Sequence, residues 1–310
     1  MIMFKVSVII PVFNAEKYIT RAINSASVLE EVGEVIVIDD GSIDNSYIIC
    51  KELSKENKKI KLLQHQDKGN HGPAATRNLG ILAAEFDYIA FLDSDDYYLP
   101  NRFQFDKEVF LKNNNADGVY GILTNIFENE YSEKVYFNNH SEILDYSSIT
   151  PVEPHKLYRA LLFYGYIRFY TPAITIKRNI LIREGMFNEH LRWSEDTELW
   201  IKLSLKATLL AGNLQTPICI RWVHGNNSVH QTDKAKHYKI KMYHSLLKWS
   251  LAENFPFAVV NDIFNAYKSY LFQNFPLKNE KQVFWRLIKS NIDFIFKSFF
   301  WRKLKLVYTN

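Results

Sequence analysis

Three acidic clusters in this chain are dense enough to do chemistry: Asp39-Asp40, Asp93-Ser94-Asp95-Asp96 and Glu195-Asp196. The second follows directly on a short apolar run, YIAFL (88–92). Carboxylates packed this closely repel, and any that are partly buried also lose hydration. A bound cation relieves both penalties. Asp93 and Asp95 stand two residues apart, where a chain leaving a strand can turn both toward one point. Oxygen ligands so placed suit a hard divalent ion, Mg2+ or Mn2+, whose coordination is shared with substrate phosphates. The competing reading is an acidic turn in which Asp93 and Asp95 cap backbone ahead of Pro100. Glu195, Asp196 and Glu198 head a helix-like segment, SEDTELWIKLSLKA (194–207), with Ser194 as its cap. Acids there either serve chemistry or favour the positive end of the helix dipole.

The elements that must position these groups follow from the apolar pattern. KVSVIIPVF (5–13) is β-branched and almost wholly apolar, as in a strand buried on both faces. AEKYITRAINSASVL (15–29) carries helical spacing, and EVIVI (34–38) is a second strand ending in the turn DDGS. A helix over 44–57 starts near Asp44 as its cap. IKLLQH (60–65) gives a third strand, PAATRNLGILAA (73–84) a helix opening on Pro, and YIAFL a fourth strand. This alternation predicts an α/β fold with a largely parallel sheet and crossover helices. Ligands of such sheets bind beyond the carboxyl ends of the strands. Here those ends read Phe13-Asn14, Asp39-Asp40-Gly41-Ser42 and Asp93-Ser94-Asp95-Asp96, so two acid pairs share one edge.

Farther on, residues 126–150 are polar and irregular and read as a hairpin or variable loop. TPAITIKR (171–178) and TPICIRWVH (216–224) return to strand character, and beyond about 230 the pattern changes to long aromatic-rich helices. Cys50 and Cys219 have no metal-type spacing and fit a reducing compartment. The segment MIMFKVSVIIPVFN lacks the charged leader and cleavage site of a signal peptide, and no apolar run approaches the roughly 18–20 residues of a membrane span. These features predict a cytoplasmic protein. A net charge of +4 on 310 residues is too mild to imply nucleic acid. Residues 278–305 pair a basic face with aromatics, which suits either the inner face of the cytoplasmic membrane or packing on the catalytic domain.

Five stretches occur in a telling order: VSVIIPVFNAEKYITRAINS, VIVIDDGSIDNS, GPAATRNLGI, YIAFLDSDD and WSEDTELWIKLS. Over residues 4–230 the sequence resembles the family 2 glycosyltransferases of the bacterial surface-polysaccharide type. The resemblance implies a GT-A fold, a Rossmann-like core for nucleotide-diphospho-sugars. The nucleotide-sugar would bind within about 1–125 and the acceptor within about 126–230, with residues 231–310 a helical C-terminal extension. It implies inverting transfer from a nucleotide-diphospho-sugar, UDP being expected, to a hydroxyl of a glycan or lipid-linked glycan.

Residue by residue, the resemblance implies that Pro11, Phe13 and Glu16 line the base pocket, with Phe13 replacing the usual Tyr and losing a hydroxyl contact. Asp39 would accept from the base N–H with Asp40 nearby, and Arg77 would sit near the donor, either for that role or as an ion-pair partner of Asp40 or Asp93. Asp93, with Ser94 in the same donor site, would approach ribose or sugar hydroxyls; Asp95 would bind the metal, with Asp93 and His224 as further ligands. Lys68 could reach the donor, Arg221 could help His224 at the phosphates, and Trp193 could stack on an acceptor sugar or sit in a core. A neutral hydroxyl is a poor nucleophile, so inversion needs a carboxylate to take its proton on the side opposite the leaving group. Asp196 occupies that base position, and Glu195 would orient it or contact the acceptor. A sugar nucleotidyltransferase would show a Gly-rich basic loop after the first strand, which PVFNAEKY lacks. A non-catalytic glycan-binding or scaffolding protein on the same fold would not need Asp95 and Asp196 together.

Overall fold

The structure, a computed structural model, describes residues 4–139, 150–163, 170–225, 227 and 232–274. The chain divides into two compact units, Met1–Thr232 and Asp233–Asn310. In the first, β1 (Val6–Val12), β2 (Val32–Asp39), β3 (Ile60–Gln64) and β4 (Tyr88–Phe91) alternate with α1 (Ile19–Ser27), α2 (Ser46–Glu56) and α3 (Pro73–Ala83). After β5 (Tyr97–Tyr98) come α4 (Gln104–Lys112), β6 (Gly118–Tyr120), β7 (Leu123–Phe127), α5 (Glu130–Asn139) and α6 (Leu157–Phe163). β8 (Ile174–Lys177), α7 (Arg178–Glu184), α8 (Glu195–Lys206), β9 (Leu209–Ala211) and β10 (Cys219–Val223) complete the unit.

The main sheet has the order β3-β2-β1-β4-β8-β6-β9, and β5, β10 and β7 form a second, small sheet. Successive side chains on a strand point to opposite faces. On β1, Val8, Ile10 and Val12 therefore pack with Ala22 and Ile23 of α1, while Ile9 packs on the other face with Ile81 and Phe91. Gly80 allows α3 to sit close on the sheet, because a Cβ there would come within 2.6 Å of Ile9. That close seat fixes where Arg77, on the same helix, can reach.

The sheet is mostly parallel, as the strand–helix alternation predicts, but β8 runs antiparallel to both β4 and β6. It is reached through a long excursion rather than a single crossover helix, so nothing forces a parallel entry. Residues entering β8 consequently lie at the edge where β1 and β4 end. Residues 126–150 also depart from expectation: β7 continues to Phe127, and α5 follows instead of a hairpin or loop. Asn129 caps that helix, its Oδ1 accepting from Ser132 N (2.9 Å) and Ser132 Oγ (3.1 Å). Ser132 and Tyr136, one turn apart, form its buried side. Ser194 is not a side-chain cap; it adopts φ 62°, a left-handed kink ahead of α8.

One buried ion pair braces the core. Arg102, in the turn ahead of α4, and Asp106 on that helix meet at 2.7 Å with side-chain exposures of 0% and 3%. Arg102 Nε also donates to Pro172 O (3.0 Å), and its Nη2 donates to Ile174 O (3.0 Å) and Thr175 Oγ1 (3.2 Å).

In the second unit, α9 (Thr232–Ala252) and α10 (Phe257–Asn274) bury Leu246, Leu247, Ile263 and Leu271. Tyr243 stacks on Tyr267 at 5.3 Å, and His244 Nε2 lies 2.6 Å from the Tyr267 hydroxyl. The basic segment 278–305 lies outside the described residues. Among those described, no helix is long and apolar enough to cross a membrane.

Candidate active site

The turn after β4 separates its acids by role. Asp96 is buried and structural: Trp222 N on β10 donates to its Oδ1 (2.9 Å), and its own N–H donates to Asp93 O (3.1 Å). Burial, reinforced by Asp95 and Asp93, pushes its carboxyl well above the ordinary range. Asp93, Ser94 and Asp95 remain half-buried.

Arg77 joins the two other acidic stations. Its Nη2 donates to Asp93 Oδ1 and its Nη1 to Glu195 Oε1, both at 2.8 Å, and the guanidinium is buried. This fork ties the end of β4 to the first residue of α8. Burial works against the charge on Arg77, but Asp93, Glu195 and Asp196 raise its pKa above the usual value. Asp196 Oδ1 accepts from Thr197 N (2.6 Å) and Thr197 Oγ1 (3.2 Å), and Thr171 Oγ1 donates to its Oδ2 at a long 3.4 Å. Thr171 stands at the entry to β8, so the antiparallel strand supplies one wall beside Asp196.

Burial and the neighbouring Asp196 push Glu195 up to about 7 from an ordinary 4.5, against the pull of Arg77. A carboxyl raised in this way binds a proton in the folded chain that the unfolded chain has released. Its contribution to stability is therefore full below pH 4.5 and is lost as pH rises through about 7. Glu195→Gln removes that loss, so the melting temperature of the variant, measured against wild type in parallel buffers, should rise between about pH 5 and pH 8. A constant difference across that range would contradict the raised pKa.

Asp95 is framed by His224, which the sequence reading named, and by Asn227, Arg21 and Tyr18, which it did not single out. Its Oδ2 lies 3.2 Å from His224 Nε2 and accepts from Asn227 Nδ2 at 2.9 Å. Arg21 Nη2 donates to Asp95 O (3.0 Å), while its guanidinium lies between the rings of Tyr97 and Trp222, 4.4 Å from each. Tyr18, the residue just ahead of α1, stacks on His224 at 4.6 Å. Two ligands at right angles on an ion with bonds of about 2.1 Å stand about 3 Å apart. The Asp95–His224 separation fits such a pair. One oxygen of Asp93 is held by Arg77, and among the described residues no three His, Cys, Asp or Glu side chains converge as a metal cage. A cation at Asp95 and His224 would therefore draw its other ligands from phosphate and water.

At the end of β2 the adjacent acids diverge. Asp40 commits both oxygens to the loop before α3: Oδ1 accepts from His71 N (2.7 Å), and Oδ2 from Gly72 N (2.9 Å) and Asn70 Nδ2 (2.9 Å). Asp39 is 1% exposed; its Oδ2 accepts from Gln64 Nε2 (3.0 Å), and its buried Oδ1 has no partner among the described residues. Phe13 is half-exposed beyond β1, and Pro11 lies within β1. Glu16 Oε2 is taken by Asn45 N (3.0 Å) and Nδ2 (2.8 Å), which locks the β1–α1 turn to the start of α2. Lys68 is exposed in the loop held by Asp40, and Trp193 is half-buried just ahead of Glu195.

Residues 7–182 match the family model for glycosyl transferase family 2. The chain belongs to that family. An uncharacterized glycosyltransferase of Rickettsia bellii (strain RML369-C) is 35% identical over 210 residues, covering 67% of this chain and 27% of the relative. The minor teichoic acid biosynthesis protein GgaA of Bacillus subtilis (strain 168) is 30% identical over 209 residues, covering 64% of this chain and 43% of GgaA. The chain thus spans about a third or less of the length of the first three curated relatives it matches. Among solved structures, S. aureus TarS 1-349 superposes with a TM-score of 0.65 at 20% identity, over 91% of this chain and 77% of that one. TarS 1-349 in complex with UDP-GlcNAc gives 0.65 at 21% identity, over 87% and 73%. These neighbours share the family's fold.

Proposed function

We propose that this chain is an inverting glycosyltransferase that moves a sugar from a UDP-sugar to a hydroxyl of a surface-polymer glycan. The observation that carries this reading is the Arg77 fork, which joins Asp93, beside the Asp95–His224 pair, to Glu195, beside Asp196. Two acidic stations linked through one buried guanidinium suit the two sides of a sugar undergoing in-line displacement. The unsatisfied Oδ1 of Asp39 supports a nucleotide base as ligand, since a ring N–H would supply the missing donor. UDP as the nucleotide is supported by the TarS complexes with UDP-GlcNAc and UDP. A polymer acceptor is supported by GgaA and by the curated name of TarS, a poly(ribitol-phosphate) beta-N-acetylglucosaminyltransferase.

In this mechanism Asp95 and His224 would hold a divalent cation, which offsets charge growing on the departing diphosphate. Asp93 meets the sugar or ribose with the oxygen Arg77 leaves free, and Phe13 stacks on the base. Asp196 takes the proton of the acceptor hydroxyl as its oxygen bonds to the anomeric carbon. The bond from that carbon to the diphosphate breaks on the opposite face, inverting the centre. Glu195 and Arg77 keep Asp196 aimed into the cleft.

The test is divalent-ion-dependent hydrolysis of a panel of UDP-sugars. Asp95→Ala should lower the rate by about 100-fold or more, as loss of one electrostatic stabiliser does elsewhere. Equal rates in wild type and variant, with and without chelator, would overturn the reading.

A further inference from the structure

Arg221 is the one strand residue of the site whose charge the donor-side arrangement leaves unused. Strand alternation puts Trp222 on the face of β10 turned to α1, where Arg21 lies on its ring. His224, of the same parity, stacks on Tyr18, just ahead of that helix. Arg221 faces the other way. Its guanidinium lies 4.0 Å over the ring of Tyr170, the residue before Thr171, whose hydroxyl reaches Asp196. Among the described residues no carboxylate pairs with Arg221 and nothing accepts a hydrogen bond from it. Of the two carboxylates that act on its charge from a distance, Asp96 is tied to Trp222 N and Asp93 is already engaged by Arg77.

A second unmet group adjoins it. β10 pairs with β7 in parallel, with Arg221 opposite Asn125, so the two side chains share a face. Asn125 Nδ2 donates to the Tyr136 hydroxyl (3.1 Å), while its buried Oδ1 has no partner among the described residues. A guanidinium whose N–H groups have no acceptor among the described residues therefore sits beside an acceptor lacking a donor, next to the segment that reaches Asp196. A charged fork seated on an aromatic face suits an oxyanion with a hydroxyl next to it.

We propose that Arg221, Asn125 and Tyr170 form an acceptor subsite that binds a phosphodiester or carboxylate neighbouring the reactive hydroxyl, so that the acceptor is an anionic polymer. The proposal rests on the glycosyltransferase reading. Arg221 takes the oxyanion through its fork, and Asn125 Oδ1 accepts from an adjacent polyol hydroxyl. Tyr170 holds the guanidinium in place, and bound acceptor presents its hydroxyl to Asp196.

The test loads the full chain with saturating UDP and Mg2+, which fills the donor's diphosphate position, and then titrates glycerol 3-phosphate, glucuronate and neutral glycerol. Wild type should bind one or both anions and not glycerol. Arg221→Gln should weaken that binding by about tenfold, with UDP affinity changed by less than about twofold. Arg221→Lys, which keeps the charge without the fork, should fall between, and it carries the test if the glutamine variant melts. Anion binding that is absent in wild type, or unchanged in both variants, overturns the proposal. So does an equal loss of UDP affinity, because the guanidinium would then serve the donor. Failure of wild type to bind UDP would instead refute the donor reading and leave the anion titration legible.

Discussion

Replacing Asp196 with asparagine should cut transfer to an acceptor by about 10²–10⁴-fold while UDP affinity stays within about twofold. The substitution keeps size and can keep the contact from Thr197 N, which at 2.6 Å fixes one oxygen. Among the described residues the other oxygen has only the 3.4 Å contact with Thr171, which on the proposed reading leaves it for an incoming hydroxyl. What asparagine loses is the ability to take a proton. Turnover at saturating acceptor, with UDP binding by calorimetry, separates this from a loss of fold. Full activity in the variant would put the base elsewhere, with Glu195 and its carboxyl near 7 the next candidate.

The largest expected effect on stability lies away from the acids of the cleft. Asp106→Ala should destabilise the chain by about 3–5 kcal/mol, because it leaves the fully buried charge of Arg102 without its partner. Arg102 also holds the carbonyls of Pro172 and Ile174, so the loss is felt where the chain enters β8. The double variant Arg102→Met with Asp106→Leu removes both charges and should recover most of the loss, since apolar replacement of a buried pair is often neutral. Urea denaturation of the three proteins checks this. A midpoint for Asp106→Ala equal to wild type would show that the pair contributes nothing.

The sequence made the first half of the fold readable for a physical reason. β1, β2 and β4 are buried on both faces, so they appear as unbroken apolar runs, and the helices between them are long enough to show a period. β6 and β9 have three residues each and β5 two, too short for any period to emerge. α5 was hidden by a polar exterior, and its cap, Asn129, is one polar residue among many until the Ser132 contacts are in place. In the site, the clustering of Asp93 and Asp95 and of Glu195 and Asp196 was visible as composition. The division of labour between Asp39 and Asp40 was not, because adjacent acids at a strand end look alike until the loop that claims one of them is in place. Asn227 and Arg21 reach Asp95 from 132 and 74 positions away, distances at which only folding assigns partners. Nothing in the sequence marks Arg102 and Asp106 as a pair, yet they are among the most deeply buried side chains.

The direction of β8 carries a consequence for how relatives can diverge. A parallel strand at that position would deliver its exit to the reactive rim, and every change there would shift the helix that follows. Because β8 is entered from that edge, substitutions at Tyr170 or Thr171 fall outside the strand pairing of β8 and outside the turn after β4. On the proposed reading, acceptor preference can thus drift at these positions while the strand ends that carry Asp39 and Asp93 stay as they are.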